Sequence, residues 1–136
     1  MKKLITLNFV PFLPDCGLLL LRVWFGLSIF LIHGLAKLQN FGATVDGFAK
    51  MGFPTPLGAA AVLAESVFSI LLVLGFATRI SATFLSGTMA VAFFKVHGAV
   101  LQQGNPGSGE MAFLYLGAFL AILVAGPGSH SVDEKL

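Results

Sequence analysis

One cysteine, one tryptophan and one tyrosine stand among 136 residues, and charge is almost as scarce. A lone Cys16 allows no disulfide within the chain, and no CxxC or CxxCH spacing is present for redox or haem attachment. Cys16 reads as a small apolar residue in a helix. Charged side chains make up 10% of the chain, far below the share of an ordinary soluble domain. The eight Lys and Arg are scattered rather than clustered, which argues against a nucleic-acid surface. GxSxG and P-loop spacings are missing, and so are the HxxxH and ExxH pairs that would suggest a metal.

What the chain has is apolar surface. Hydrophobic residues make up 57% of it, and its mean hydropathy is +0.93. A soluble protein of this size has too much surface to hide them. Four apolar stretches, 15–36, 57–76, 79–98 and 110–126, each approach the length of a helix that crosses a hydrocarbon core. The expected fold is therefore all-α. It is a four-transmembrane-helix antiparallel bundle, forming one integral membrane domain over 1–136, with the lipid bilayer as its solvent.

The flanking residues refine this picture. Met1, Lys2 and Lys3 before the apolar run 4–10 look like a secretory signal, but Pro11, Pro14 and Asp15 break it and no cleavage-type site follows. Leu4, Ile5, Phe9 and Phe12 are expected to rest among the headgroups. Asp15 is a candidate N-cap for the first span, and Trp24, far from either end, is expected to pack inside. Phe41, Val45, Phe48 and Met51 recur at helical spacing between spans one and two. They predict a short interfacial helix, capped by Asn40 and ended by Gly52. Thr55 as N-cap and Pro56 open span two, and Gly75 ends it. The short turn to Arg79 makes spans two and three antiparallel neighbours. Small residues at intervals of four (Ala82, Ser86, Ala90, and again Gly117, Ala121, Ala125) predict close helix contacts. Lys and Arg divide four against three between the two sides, a slight bias toward cytoplasmic termini.

Ionisable residues inside apolar spans are costly and mark function. The candidate intramembrane polar site comprises Arg22, His33, Lys37, Glu65 and His97. On a regular helix Arg22, Gly26, His33 and Lys37 share one stripe, with Arg22 and His33 about 20° apart. Glu65, near the middle of span two, needs a partner or a proton. Antiparallel packing would bring Arg22 and Glu65 within about 6 Å in depth, which predicts an Arg22–Glu65 pair. Such a pair either locks helix register or lines a ligand or proton site. His33 and His97 fall toward one side. They suit hydrogen bonding or proton exchange at a quinone-like headgroup better than haem ligation, for which nothing sets their separation. Lys95 points away from His97, and Glu110 opens span four where the helix dipole favours an anion.

Taken in order, several pieces resemble the DoxX family of small bacterial inner-membrane proteins over about residues 17–133. They are Arg22 in LLRVWFG, the run from His33 through Lys37 to Leu38, GFPTP at 52–56, and Ala64-Glu65. The turn LGFATR at 74–79 and the ending GPGSHSVD, with Ser131 and Asp133, complete the set. The resemblance implies a four-helix bundle in the bacterial inner membrane, multi-pass, with cytoplasmic termini. It also implies a link to thiosulfate:quinone oxidoreductase and to membrane oxidoreductase complexes with redox partners. Arg22, Gly34, Lys37, Glu65, Arg79 and Asp133 fall on the family's recurring positions. The expected function is a quinone-interacting subunit of a membrane oxidoreductase. It would hold a quinone and no covalently bound cofactor, and a redox protein partner would supply the electrons. Two other readings stand beside it. One is a non-enzymatic scaffold or assembly factor. The other is a small proton-coupled transporter with Glu65 as the coupling carboxylate, which would need a homo-oligomer to form a path.

Overall fold

The computed structural model describes residues 6–7 and 10–136. Among the described residues there are five α-helices and no strand. Helix α1 spans Pro14–Gln39, α2 Phe41–Lys50, α3 Thr55–Leu74, α4 Thr78–Val91 and α5 Glu110–Ala125. Helices α1 and α3 are long and apolar enough to cross a membrane, and α5 is a shorter apolar helix. Its 16 residues reach about 24 Å at the α-helical rise.

Several boundaries have a local cause. Pro14 occupies the first turn of α1, where its missing amide costs nothing. Gly52 takes a left-handed φ of 88° just after α2. At the end of α3, Gly75 takes a φ of 72°. Its amide donates to the Leu72 carbonyl and that of Phe76 to the Leu71 carbonyl, closing the last turn on itself. Three expected caps differ. Asp15 lies within the first turn of α1 and accepts instead from the Ser129 amide. Asn40 turns back to the Ala36 carbonyl rather than capping α2. Thr55 is already helical, one residue past the cap position.

Two glycines set the register of α1 against α3. A Cβ on Gly26 would stand 2.8 Å from Val73, and one on Gly34 would run into the Glu65 carbonyl. Backbone therefore lies on backbone, as small residues permit between apolar helices. Each step up α1 matches one step back along α3, so Arg22 is level with the end of α3 and lies twelve residues from the level of Glu65. That is about 18 Å, which excludes the expected Arg22–Glu65 pair. Arg22 is fully buried and donates to the carbonyls of His130 at 2.6 Å and Leu72 at 3.5 Å.

The carboxy-terminal segment is tied over this end of the molecule. The Asp133 amide donates to the Gly75 carbonyl at 2.9 Å. The Asp133 carboxylate accepts from the amides of Ala77 at 2.7 Å and Thr78 at 2.8 Å. It thus caps α4 from 55 residues away in sequence, where no local side chain does so. Burial raises the Asp133 carboxyl, but these amides and the Arg22 charge outweigh it and hold it below its ordinary value of 3.8.

Two packing expectations are overturned. Trp24 is 67% exposed, on the outer face of α1 with Leu20, Leu27 and Leu31, because it lies across the helix axis from buried Arg22 and Gly26. Gly117, Ala121 and Ala125 also face outward, since α5 buries Ala112, Tyr115, Phe119 and Ile122 instead. Ala82 and Ser86 of α4 are buried. Cys16 is exposed, and so is Phe12. Leu4, Ile5 and Phe9 lie outside the described residues.

Gly34→Ala is expected to push α1 off α3 and destabilise the fold by about 1–3 kcal/mol, read as a lower melting temperature in detergent. Gly87→Ala, whose added methyl meets nothing within 4 Å, should not lower it. The Asp133 contribution is fully present above about pH 3.8 and is lost as pH falls through the lower folded value. Asp133→Asn should therefore unfold more easily at neutral pH and lose part of the wild-type acid dependence, as followed by circular dichroism.

Candidate functional site

The residues of α1, α3 and α4 do not continue as plain α-helix to the end. Helices α1 and α3 each contain one π-helical turn, at Phe30–Gly34 and Ala64–Phe68, and a third, Ala92–Val96, prolongs α4. An extra residue in a turn shifts the face presented by everything beyond it, and such turns collect at functional sites. His33 lies in the first, Glu65 in the second, and His97 directly follows the third.

These turns border a cavity of about 540 Å³. Four of the five sequence candidates, His33, Lys37, Glu65 and His97, line it, and Arg22 does not. Arg22 belongs to the clasp at the far end of α1, where its donors are directed at carbonyls. The rest of the wall is apolar or small, with Ile29, Ala60, Ala61, Phe84 and Ala112 among its residues.

Within the cavity the Lys37 ammonium meets Glu65 Oε2 at 2.6 Å. The Glu65 side chain is 4% exposed and that of Lys37 27%, so the pair is dry on one side and reachable on the other. Lys37 also lies 5.9 Å from the Phe48 ring centroid, which ties α2 to the site. Phe48 in turn packs on Gly58 of α3, where a Cβ would be 3.1 Å from its own. The His97 Nδ1 sits 3.0 Å from the Gly107 carbonyl. A carbonyl only accepts, so Nδ1 carries the proton, and in that tautomer Nε2 is an acceptor. His33 has no hydrogen-bond partner among the described residues. The polar end thus combines an ammonium donor, a carboxylate, an uncommitted imidazole and an imidazole acceptor.

Sequence reasoning missed several lining residues. Tyr115, the only tyrosine, lines the cavity from α5 and meets Phe25 edge-on at 5.7 Å. Met51, just past α2, Met89 of α4 and Met111 of α5 line it as well. Thioethers are adaptable apolar wall, and nothing in their spacing along the chain signals a shared site. Phe48 and Met51 were visible only as part of the apolar stripe of α2.

Fold and site together define a class: an all-helical protein with two bilayer-length apolar helices and an apolar cavity ending in a half-buried ion pair and two histidines. The DoxX family model matches residues 17–98, and the chain belongs to the DoxX family. It is 38% identical over 113 residues to an uncharacterized protein of Haemophilus influenzae, covering 79% of this chain and 81% of that one. It is 35% identical over 114 residues to the inner membrane protein YphA of Escherichia coli, with the same two coverages. Over 116 residues it is 32% identical to a Bacillus subtilis protein named "Putative oxidoreductase CatD", covering 85% of this chain and 82% of that one. No solved structure matches.

Removing one partner of the ion pair leaves the other without compensation. Lys37→Met should therefore destabilise the protein by about 1–3 kcal/mol, and Lys37→Met with Glu65→Leu should recover most of the loss. Thermal unfolding of the detergent-solubilised variants checks both.

Proposed function

We propose that this chain is a quinone-interacting subunit of a membrane oxidoreductase complex, with the headgroup held at the polar end of the cavity. The observation that carries the reading is the convergence of Lys37, Glu65, His33 and His97 on one otherwise apolar cavity. Quinone carbonyls accept hydrogen bonds, which Lys37 and His33 can donate. The reduced ring carries hydroxyls, which Glu65 and the His97 Nε2 can accept. Glu65 and the histidines are also groups able to hold and release a proton at the ring oxygens. The name of CatD and the inner-membrane relatives favour this chemistry and this compartment. Electrons would come from a redox protein partner.

In this reading the whole chain is one multi-pass unit of the bacterial inner membrane. Helices α1 and α3 span it, joined by α4 (lengthened by its π turn) and by α5, and α2 lies along the interface. Both termini face the cytoplasm. The apolar outer faces, with Trp24, Leu31 and Phe94 among their exposed side chains, are the lipid contact.

Mass spectrometry of lipids extracted from a mild-detergent preparation tests the proposal. Wild-type protein should carry ubiquinone or menaquinone, and Glu65→Gln and His33→Ala should each lose most of it. Quinone content equal to wild type in both folded variants would overturn the reading.

A further inference from the structure

The cavity is not closed on all sides. The first half of α3, Thr55–Leu63, packs against α2, while the π turn below it and Ser69–Leu74 pack against α4. Helices α3 and α4 therefore meet at their lower ends, where Phe68 and Phe84 stack with centroids 4.6 Å apart, and part above. Leu57 on α3 and Thr83, Phe84 and Gly87 on α4 line the cavity and are also exposed on the outer surface. Small residues line the cavity on both helices there, Ala60 and Ala61 on α3 and Gly87 on α4, and a Cβ built on Gly87 meets nothing within 4 Å.

We infer that this gap is a side portal for the hydrocarbon chain of the bound quinone, which leaves the cavity between α3 and α4 directly into the bilayer. The inference rests on the headgroup reading above and adds the class of ligand: a ring bearing one long apolar chain. A chain-bearing ligand delivered from lipid must either withdraw its chain from the bilayer or find an apolar slot through the wall. The cavity residues that reach the outer surface there, Leu57, Thr83, Phe84 and Gly87, are uncharged. The chain gains little by moving from lipid into an equally apolar slot. The portal therefore permits binding without adding affinity, and filling it excludes ligands that have a chain.

The experiment uses the full chain in lipid nanodiscs. It titrates two quinones with the same ring, one with no side chain and one with a long alkyl or isoprenoid chain, and compares each ligand only with itself across proteins. Gly87→Leu and, from the opposite wall, Ala61→Leu are the plugged variants, with melting temperature as the check on folding. Each is expected to weaken the chain-bearing quinone at least about tenfold and to leave the chainless one within about twofold of wild type, the pattern of steric exclusion. Equal effects on both ligands, or none on either, in the variant that folds would overturn the portal while leaving the headgroup site standing. Failure of the wild-type protein to bind either quinone would overturn both. Loss of a co-purified phospholipid from the plugged variants, with quinone binding unchanged, would assign the slot to lipid and overturn the assignment to the quinone chain.

Discussion

Helices α1 and α3 touch through backbone at Gly26 and Gly34, and that contact decides what every charged group near it can reach. Atoms at van der Waals distance on two stiff rods leave no freedom to slide, since a shift of one turn would drive side chains into the space the glycines vacate. With the rods locked, Glu65 lies within reach of Lys37, and Arg22 lies level with the end of α3. A carboxylate and a guanidinium that both need partners in an apolar setting thus find different ones, at opposite ends of the same helix pair.

The two ends are built for different work. At the Arg22 end the charged side chains are tied to backbone, although the buried Arg22 Nε and Thr78 Oγ1 have no hydrogen-bond partner among the described residues. The guanidinium meets the His130 and Leu72 carbonyls, Asp133 meets the amides that open α4, and Asp15 meets Ser129. Gly75 has no room for a side chain because Arg22 and Ser131 fill the space. Such an end is rigid and satisfies helix termini that would otherwise lack partners. At the Lys37 end the polar groups border empty volume, and His33 has no hydrogen-bond partner among the described residues. Unspent hydrogen-bonding capacity beside a cavity is where a ligand gains most.

The π turns join the two descriptions. A continuous α-helix through α1 would keep Arg22 and Lys37 near one stripe, and the extra residue between Phe30 and Gly34 turns Lys37 relative to it. Matching turns in α3 and α4 swing Glu65 and the segment before His97 toward the same space. The gap proposed as a side portal lies where α3 packs against α2 in its first half and against α4 only from its π turn onward.

The sequence by itself determined that the chain is helical and apolar, where its helices begin and end to within a few residues, and which polar residues stand out. Those properties are local: hydrophobic run length, proline and glycine positions, and the scarcity of charge act within one or two turns. Only the tertiary structure decided which charges meet, that Trp24 and the Gly117 stripe face outward, and that methionines from three parts of the chain share a wall. The physical reason is that depth along a regular helix can be counted from sequence, but rotation and register between helices depend on a few close contacts and on π turns. Neither leaves a periodic signal in the chain.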